Sequence, residues 1–137
     1  MANYHANCRT NYFKVKDDEA FLAAMLEIPG IEVEQNNDDG FVILGNDADG
    51  AGWPTYSYDE EDDNETEIDL PLIVSEHLID GEVAIFMESG AEKLRYIIGF
   101  AEAINSKGER ESVSIRDIYS KARKLTDRPM DVTPAEY

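Results

Sequence analysis

The chain has 137 residues, 42% of them hydrophobic and 31% charged, enough for one domain that buries its own core without a metal or a disulfide. Its one cysteine, Cys8, excludes an internal disulfide and a four-cysteine metal site, and no apolar run approaches the roughly 18 residues of a membrane span. Thirty acids against twelve bases leave a net charge of −18, which opposes binding to nucleic acid or to an anionic membrane by like-charge repulsion.

In chain order, Tyr12-Phe-Lys-Val-Lys16 alternates apolar and polar residues and predicts a strand. Asp17-Asp-Glu19 opens a helix with carboxylates at its positive end. Phe21, Leu22, Met25 and Leu26 form its apolar stripe, and Pro29-Gly30 stops it. Ile31–Glu34 and Phe41–Leu44 flank the turn residues Asn36-Asn-Asp-Asp-Gly40, which predicts a hairpin over 31–44. Gly45 to Pro54 is a glycine-rich loop, Thr55–Tyr58 a strand, and Asp59–Asn64 an acidic loop. Glu65-Thr-Glu-Ile-Asp69 alternates again, which as a strand sets Glu65, Glu67 and Asp69 on one face at intervals of about 6.6–6.8 Å and turns Thr66 and Ile68 inward. Asp69 caps a second helix over Leu72–Ile79, with Pro71 in its first turn. Val83–Glu88 and Leu94–Ala101, joined through Ser89-Gly90, are strands, and a turn at Ser106-Lys-Gly108 leads to Glu111–Val113 as the third strand of a meander. Ser114-x-x-Asp117 has the form of a capping box. Behind it Ile115, Ile118, Tyr119, Ala122 and Leu125 recur at helical spacing and predict a third helix.

Strand, helix and hairpin thus occur in that order twice, starting near 12 and near 65. The pattern predicts an α+β domain over 1–125, with a mainly antiparallel sheet and helices on one of its faces. Residues 126–137 read as an extended or mobile tail. The uncovered face, or the long loops, is expected to carry most of the acids.

The charge is segregated along the chain. Residues 1–16 carry +3 and residues 93–137 carry +2, whereas residues 17–92 hold 23 acids and no Lys or Arg. Acids in such a block can meet one another, helix N-termini and a few bases from the flanks. A solvated surface kept for solubility or by a salt-adapted host is the plain explanation. Salt adaptation, however, would spread acids over the whole chain, and the last third is nearly neutral. A functional acidic face is the other explanation. Its densest stretch is Asp59, Glu60, Glu61, Asp62, Asp63, Glu65, Glu67 and Asp69, eight acids in eleven residues.

The residues offer little for catalysis. Asp47-Ala-Asp49-Gly50 resembles part of a calcium loop, but with Gly50 in the glycine position Gly45 and Tyr56 fall where ligands are needed, so the loop reads as a turn. His5, His77 and Cys8 have no zinc spacing. Arg9 is the one neighbour able to lower the pKa of Cys8. There is no nucleophile elbow, phosphate loop or dinucleotide fingerprint. The expectation is a non-enzymatic protein without metal or cofactor. Trp53, between Gly52 and Pro54, either packs under its own loop or anchors an interface.

The segment from Gly81-Glu-Val-Ala-Ile-Phe-Met-Glu-Ser-Gly-Ala-Glu-Lys-Leu-Arg-Tyr96 through Gly99 to Ala103-Ile-Asn-Ser-Lys-Gly-Glu109 resembles small accessory proteins carried by phages, plasmids and integrative elements. Asn11-Tyr-Phe-Lys-Val-Lys-Asp17 and Gly52-Trp-Pro54 are similar to theirs as well. In size and acidity the chain also resembles the antirestriction and anti-CRISPR inhibitors of such elements, several of which are DNA mimics. This second likeness is compositional and carries over no residues. It implies a cytoplasmic inhibitor that shows a DNA-like acidic surface to a basic nucleic-acid-binding defence protein, without binding nucleic acid or membrane itself. Duplex DNA carries one charge per ~1.7 Å, so 23 charges match about 40 Å of duplex, close to the roughly 35–40 Å diameter of a domain this long. The expected partner-binding residues are Asp47, Asp49, Trp53 and the eight acids from Asp59 to Asp69. An acidic immunity or adaptor protein for a basic partner is the alternative. The start of the chain, Met1-Ala-Asn-Tyr-His, lacks the basic-then-apolar pattern of a secretory signal. A homodimer through the meander edge or the third helix is expected, because the C-terminal third and the central block carry opposite charge.

Overall fold

Asp17 stands where extended backbone turns helical, and its carboxylate accepts from the N–H groups of Glu19 (3.0 Å) and Ala20 (3.2 Å). It thereby satisfies two of the donors that the first turn of a helix leaves open. The computed structural model, which describes residues 4–45, 52–61, 63–92 and 96–135, builds the α+β architecture from elements of this local kind. In chain order these are β1 (Tyr4–Thr10), α1 (Asp18–Leu26), β2 (Ile31–Asn36), β3 (Gly40–Gly45), β4 (Tyr56–Asp59), β5 (Asn64–Glu67), α2 (Leu70–Ser75), β6 (Val83–Glu92), β7 (Tyr96–Asn105), β8 (Arg110–Ser114) and α3 (Ile118–Arg123). Six strands make one antiparallel sheet in the order β2-β3-β1-β6-β7-β8, while β4 and β5 pair separately as a hairpin.

One face of the sheet is covered. Phe41 and Ile43 of β3, Ala84 and Phe86 of β6 and Ile104 of β7 pack against Phe21 and Met25 of α1 and Leu70 and Val74 of α2. Phe21 is the hinge of this core, edge-on to Phe13 at 5.7 Å and tilted on Phe41 at 4.9 Å. On the opposite registers Val83, Met87, Ile97 and Val113 face outward and are exposed, whereas Val42 of β3 is buried on that side.

Several expectations change. The alternation of 12–16 places Phe13 and Val15 in the core, yet the regular strand is the earlier 4–10. Residues 12–16 form a strap that makes only isolated bridges, Phe13 to Phe41 and Val15 to Leu78. The buried Thr10 hydroxyl causes the switch: it accepts from the Ile43 N–H (2.9 Å), a donor that continued strand pairing would have used, and donates to the Asn11 carbonyl (2.8 Å). At the bridge Gly40 has φ +103, and a Cβ there would lie 2.1 Å from the Phe13 carbonyl oxygen, so no other residue fits.

Strand β6 does not turn at Ser89-Gly90; it continues to Glu92, which pairs with Tyr96. Helix α2 begins two residues earlier than predicted and ends at Ser75. Leu22 and Leu26, assigned to the apolar stripe of α1, are 39% and 87% exposed, because the helix meets the core only through its Phe21–Met25 edge. The two strand–helix–hairpin halves are not alike, since the first opens on the bridged strap 12–16 and the second on β5, which pairs with β4 outside the main sheet.

The third helix is the largest departure. Its capping box forms: the Ser114 side chain accepts from Arg116 N–H, and Asp117 accepts from Ser114 N–H at 2.9 Å. The box starts a 3-10 turn over Ile115–Asp117, and the six-residue α3 that follows has no buried residue. The covered face of the sheet is already filled by α1 and α2, so among the described residues no member of the apolar stripe is buried. In the C-terminal segment, a 3-10 turn spans Pro129–Asp131, and Ala135 N–H donates to the Tyr119 hydroxyl at 2.8 Å. No helix among the described residues is long and apolar enough to cross a membrane.

Candidate functional site

Of the acids described in the 17–92 block, Glu88 alone is buried. The rest lie on loops, helix ends, β2, the β4–β5 hairpin and, for Glu92, the end of β6. The part of the uncovered sheet face formed by β6–β8 is apolar rather than acidic, so the expectation that this face shares the acids fails there. The loops carry them.

The hairpin is the densest of these acidic elements. Its register sets Tyr56 opposite Glu67 and Tyr58 opposite Glu65, so two tyrosines and two glutamates share one face. Tyr56 and Tyr58 are 54% and 61% exposed. Strand geometry puts the carboxylate-bearing Cα atoms of Glu65 and Glu67 about 6.6–6.8 Å apart, as expected. Thr66, expected to turn inward, is exposed on the other face of this two-stranded ribbon; Ile68, beyond the strand end, does reach the core. In the turn, Asp59 accepts from Glu61 N–H (2.9 Å), and the Tyr58 hydroxyl donates to Asp63, which adopts a left-handed φ of +53. The bond to Asp63 holds the Tyr58 phenol above its ordinary pKa. Among the described residues, Asp59, Glu60, Glu61, Asp63, Glu65 and Glu67 are all exposed and none forms an ion pair.

Asp69 has a different role from its neighbours. It caps α2 by accepting from Leu72 N–H (3.4 Å) and receives Arg110 Nη1 at 2.6 Å. Arg110, on β8, also binds Glu102 of β7. The Arg110 hydrogen bond holds the Asp69 carboxyl below the usual carboxylate range, and the pair of acids holds the guanidinium charged. Asp69 is therefore a structural tie between the hairpin base and the sheet, and it drops out of the row of free anions that includes Glu65 and Glu67.

Beneath the hairpin lies a cleft of about 450 Å³ with Trp53, Phe86 and Phe100 on its walls and Glu67 and Glu88 among its acids. Trp53 meets Phe86 edge-on at 5.4 Å, and its backbone N–H donates to Glu88 Oε1 at 2.9 Å. Its indole Nε1 is buried without a hydrogen-bond partner among the described residues. Gly52, at φ +93, lets the loop approach this carboxylate: a Cβ there would lie 2.6 Å from Glu88 Oε1. Trp53 thus packs against Phe86 and also lines the open cleft. Arg110 lines the cleft too, between Asp69 and Glu102, and Glu88 is buried, which leaves Glu67 as the exposed acid of the lining without an ion pair among the described residues.

Cys8 lies at the back of the same region, its thiol 3.6 Å from Glu88 Oε1. Burial, and then the charge of Glu88 and the hydrogen bond to it, push its pKa up to about 12. Arg9, the one neighbour able to lower it, leaves β1 on the other face, across from Met87, and donates to the Thr10 carbonyl. His77 is a half-buried boundary residue, edge-on to Phe21 at 5.8 Å. Asp47, Asp49 and Asp62 lie outside the described residues. Among the described residues no group of three or more His, Cys, Asp or Glu is arranged to hold a metal ion.

Sequence reasoning passed over Tyr56, Tyr58, Glu88, Phe100 and Arg110. The Tyr-x-Tyr alternation beside an acidic run was a usable signal. The other three are joined to the site by pairings across the sheet that no local pattern encodes. Comparison with family models, with curated proteins and with solved structures finds no match to this chain.

Proposed function

We infer that the protein is a non-enzymatic inhibitor whose acidic hairpin occupies the nucleic-acid-binding groove of a basic defence protein. The observation that carries this reading is the hairpin itself: six described carboxylates, all exposed and none ion-paired, on a ribbon tied to the sheet by Asp69 and Arg110. A fixed array of this kind attracts a basic groove at long range, and it has already met the cost of bringing like charges together during folding. A second reading, an immunity or adaptor protein for a basic partner outside the DNA-binding class, draws support from Tyr56 and Tyr58. Exposed tyrosines among acids provide contact area that a phosphate backbone does not imitate.

Competition separates the two. A partner captured from a lysate carrying restriction and CRISPR systems is challenged with duplex DNA, and displacement is the expected result. A partner that DNA leaves in place would overturn the groove reading in favour of the second. Neutralising the hairpin turn (Asp59→Asn, Glu60→Gln, Glu61→Gln, Asp62→Asn, Asp63→Asn) should weaken binding more than tenfold and flatten its salt dependence. An equal loss of charge at Glu109, Glu111, Asp127, Asp131 and Glu136 should do little. Equal weakening by both sets would reduce the effect to bulk charge and remove the hairpin as the site.

A further inference from the structure

The geometry points to a two-fold homodimer in which the outer face of β6–β7–β8 and the apolar stripe leading into α3 pack against the same surface of a second copy. Met87, Ala101 and Val113 are register neighbours across the three strands, and Met87 and Val113 are 54% and 59% exposed. Ile115 lies in the notch that Gly99 leaves on this face; a Cβ on Gly99 would come within 3.0 Å of it. Past Ile115 the apolar surface continues to Ile97 and Ile118, 66% and 58% exposed. Two hollows of about 410 and 290 Å³ lie along this path and share Ile115 as a wall. Five large side chains at roughly half exposure make a patch of several hundred Å², the scale at which exposed apolar surface marks an interaction site. With its polar surround such a patch approaches the ~800 Å² per partner of a stable interface.

Charge identifies the occupant. On β1, β6, β7 and β8 the outward registers of the described residues hold one acid, Glu111, and one base, Arg9, while Glu32 and Glu34 lie on β2 at the far edge of the sheet. Two copies of a chain with net charge −18 repel wherever their acidic loops meet. They can approach on this face without bringing those loops together, and an uncharged apolar surface is self-complementary, as a two-fold interface requires. Lys121 and Arg123, in the last turn of α3, add no acid to this end of the surface. The acidic hairpin stands on the other side of the sheet, so the dimer leaves it free for a basic partner.

Sedimentation velocity of the full chain from about 1 to 100 µM tests this. The expected result is a species of twice the 15.4 kDa chain mass at the upper concentrations. Val113→Asp and Ile118→Asp, each at an exposed position, should weaken self-association more than tenfold with the circular dichroism spectrum unchanged. The hairpin set from Asp59 to Asp63 should leave the dimer no weaker. A single 15.4 kDa species over the whole range and at every salt concentration would overturn the proposal. So would a dimer that neither substitution disturbs, since its interface would lie elsewhere.

Discussion

The β4–β5 hairpin and the outer face of β6–β8 are both exposed antiparallel strands, and they have opposite chemistry. On the hairpin, carboxylates alternate with tyrosines or polar residues. On the outer face, Met87, Val113 and Ile97 stand exposed over a sheet whose other side is a packed core. The difference shows that exposure alone does not define a surface. The hairpin is held as a charged arm by one ion-pair tie at Asp69, and it gains from water and from cations. The outer face is backed at β6 by the buried Ala84 and Phe86, and it gains from being covered. Apolar surfaces favour permanent partners, and charged arms favour partners that come and go with salt.

The comparison is tested most strongly at two adjacent residues. Phe86 points into the core at 2% exposure and Met87 points outward at 54%. Phe86→Ala should cost about 3–5 kcal/mol in urea unfolding. Met87→Ala, measured at concentrations where the chain is monomeric, should stay within about 0.5 kcal/mol. Similar losses at both positions would mean that the outer face is packed within a single chain, and the contrast between the two faces would fail.

Salt provides the next test. With 23 acids in one block, self-repulsion lowers stability, and screening relieves it over a Debye length of ~8–10 Å. The thermal midpoint should rise from low salt to about 0.5 M NaCl. Neutralising Asp59 to Asp63 should raise the low-salt midpoint and shrink that rise by more than the five-residue control set does. A flat salt curve in the unmodified chain would show that the acids are already compensated.

The smallest expected effect concerns the buried carboxylate that both regions border. Burial first, then Glu88, raises the Cys8 thiol from 9.0 to about 12. A raised folded-state pKa contributes stability that is whole below the unfolded value near 9 and is lost as pH rises toward 12. Cys8→Ser should therefore flatten the loss of stability between about pH 9 and pH 12, read as the denaturant midpoint of each chain. At pH 8 thiol labelling of the folded chain should be more than tenfold slower than that of the unfolded chain. Equal labelling rates would place Cys8 in an open, uncharged setting and contradict its contact with Glu88.

Much of the fold was legible locally. Asp17 and Asp69 cap the helices they were predicted to cap, the hairpin over 31–44 and the meander from β6 to β8 are present, and Asn36–Gly40 turns where its chemistry requires. Errors arose where a distant group took over a local signal. The Thr10 hydroxyl ends a strand that alternation alone would continue through Lys16. Ser89-Gly90 has turn residues, but β1 and β7 on either side hold it as strand through a full ladder. At the candidate site, the anions Glu65 and Glu67 were legible as a face because strand period is local. The reassignment of Asp69 was not, because Arg110 lies 41 residues away.

By itself the sequence determined the segregation of charge, the capped helix starts and the turns, since each depends on residues within a few positions of one another. The net charge of a segment does not change on folding, so a block of 23 acids without a base forces an acidic surface in any compact arrangement. Tertiary structure alone decided which acids stay free, which one is buried and which apolar stripe finds the core. Ile115, Ile118 and Leu125 have the periodicity of a buried helix face, but α1 and α2 reach the one covered side of the sheet first. A periodic pattern specifies that a surface is apolar; what it packs against depends on the room the rest of the chain leaves.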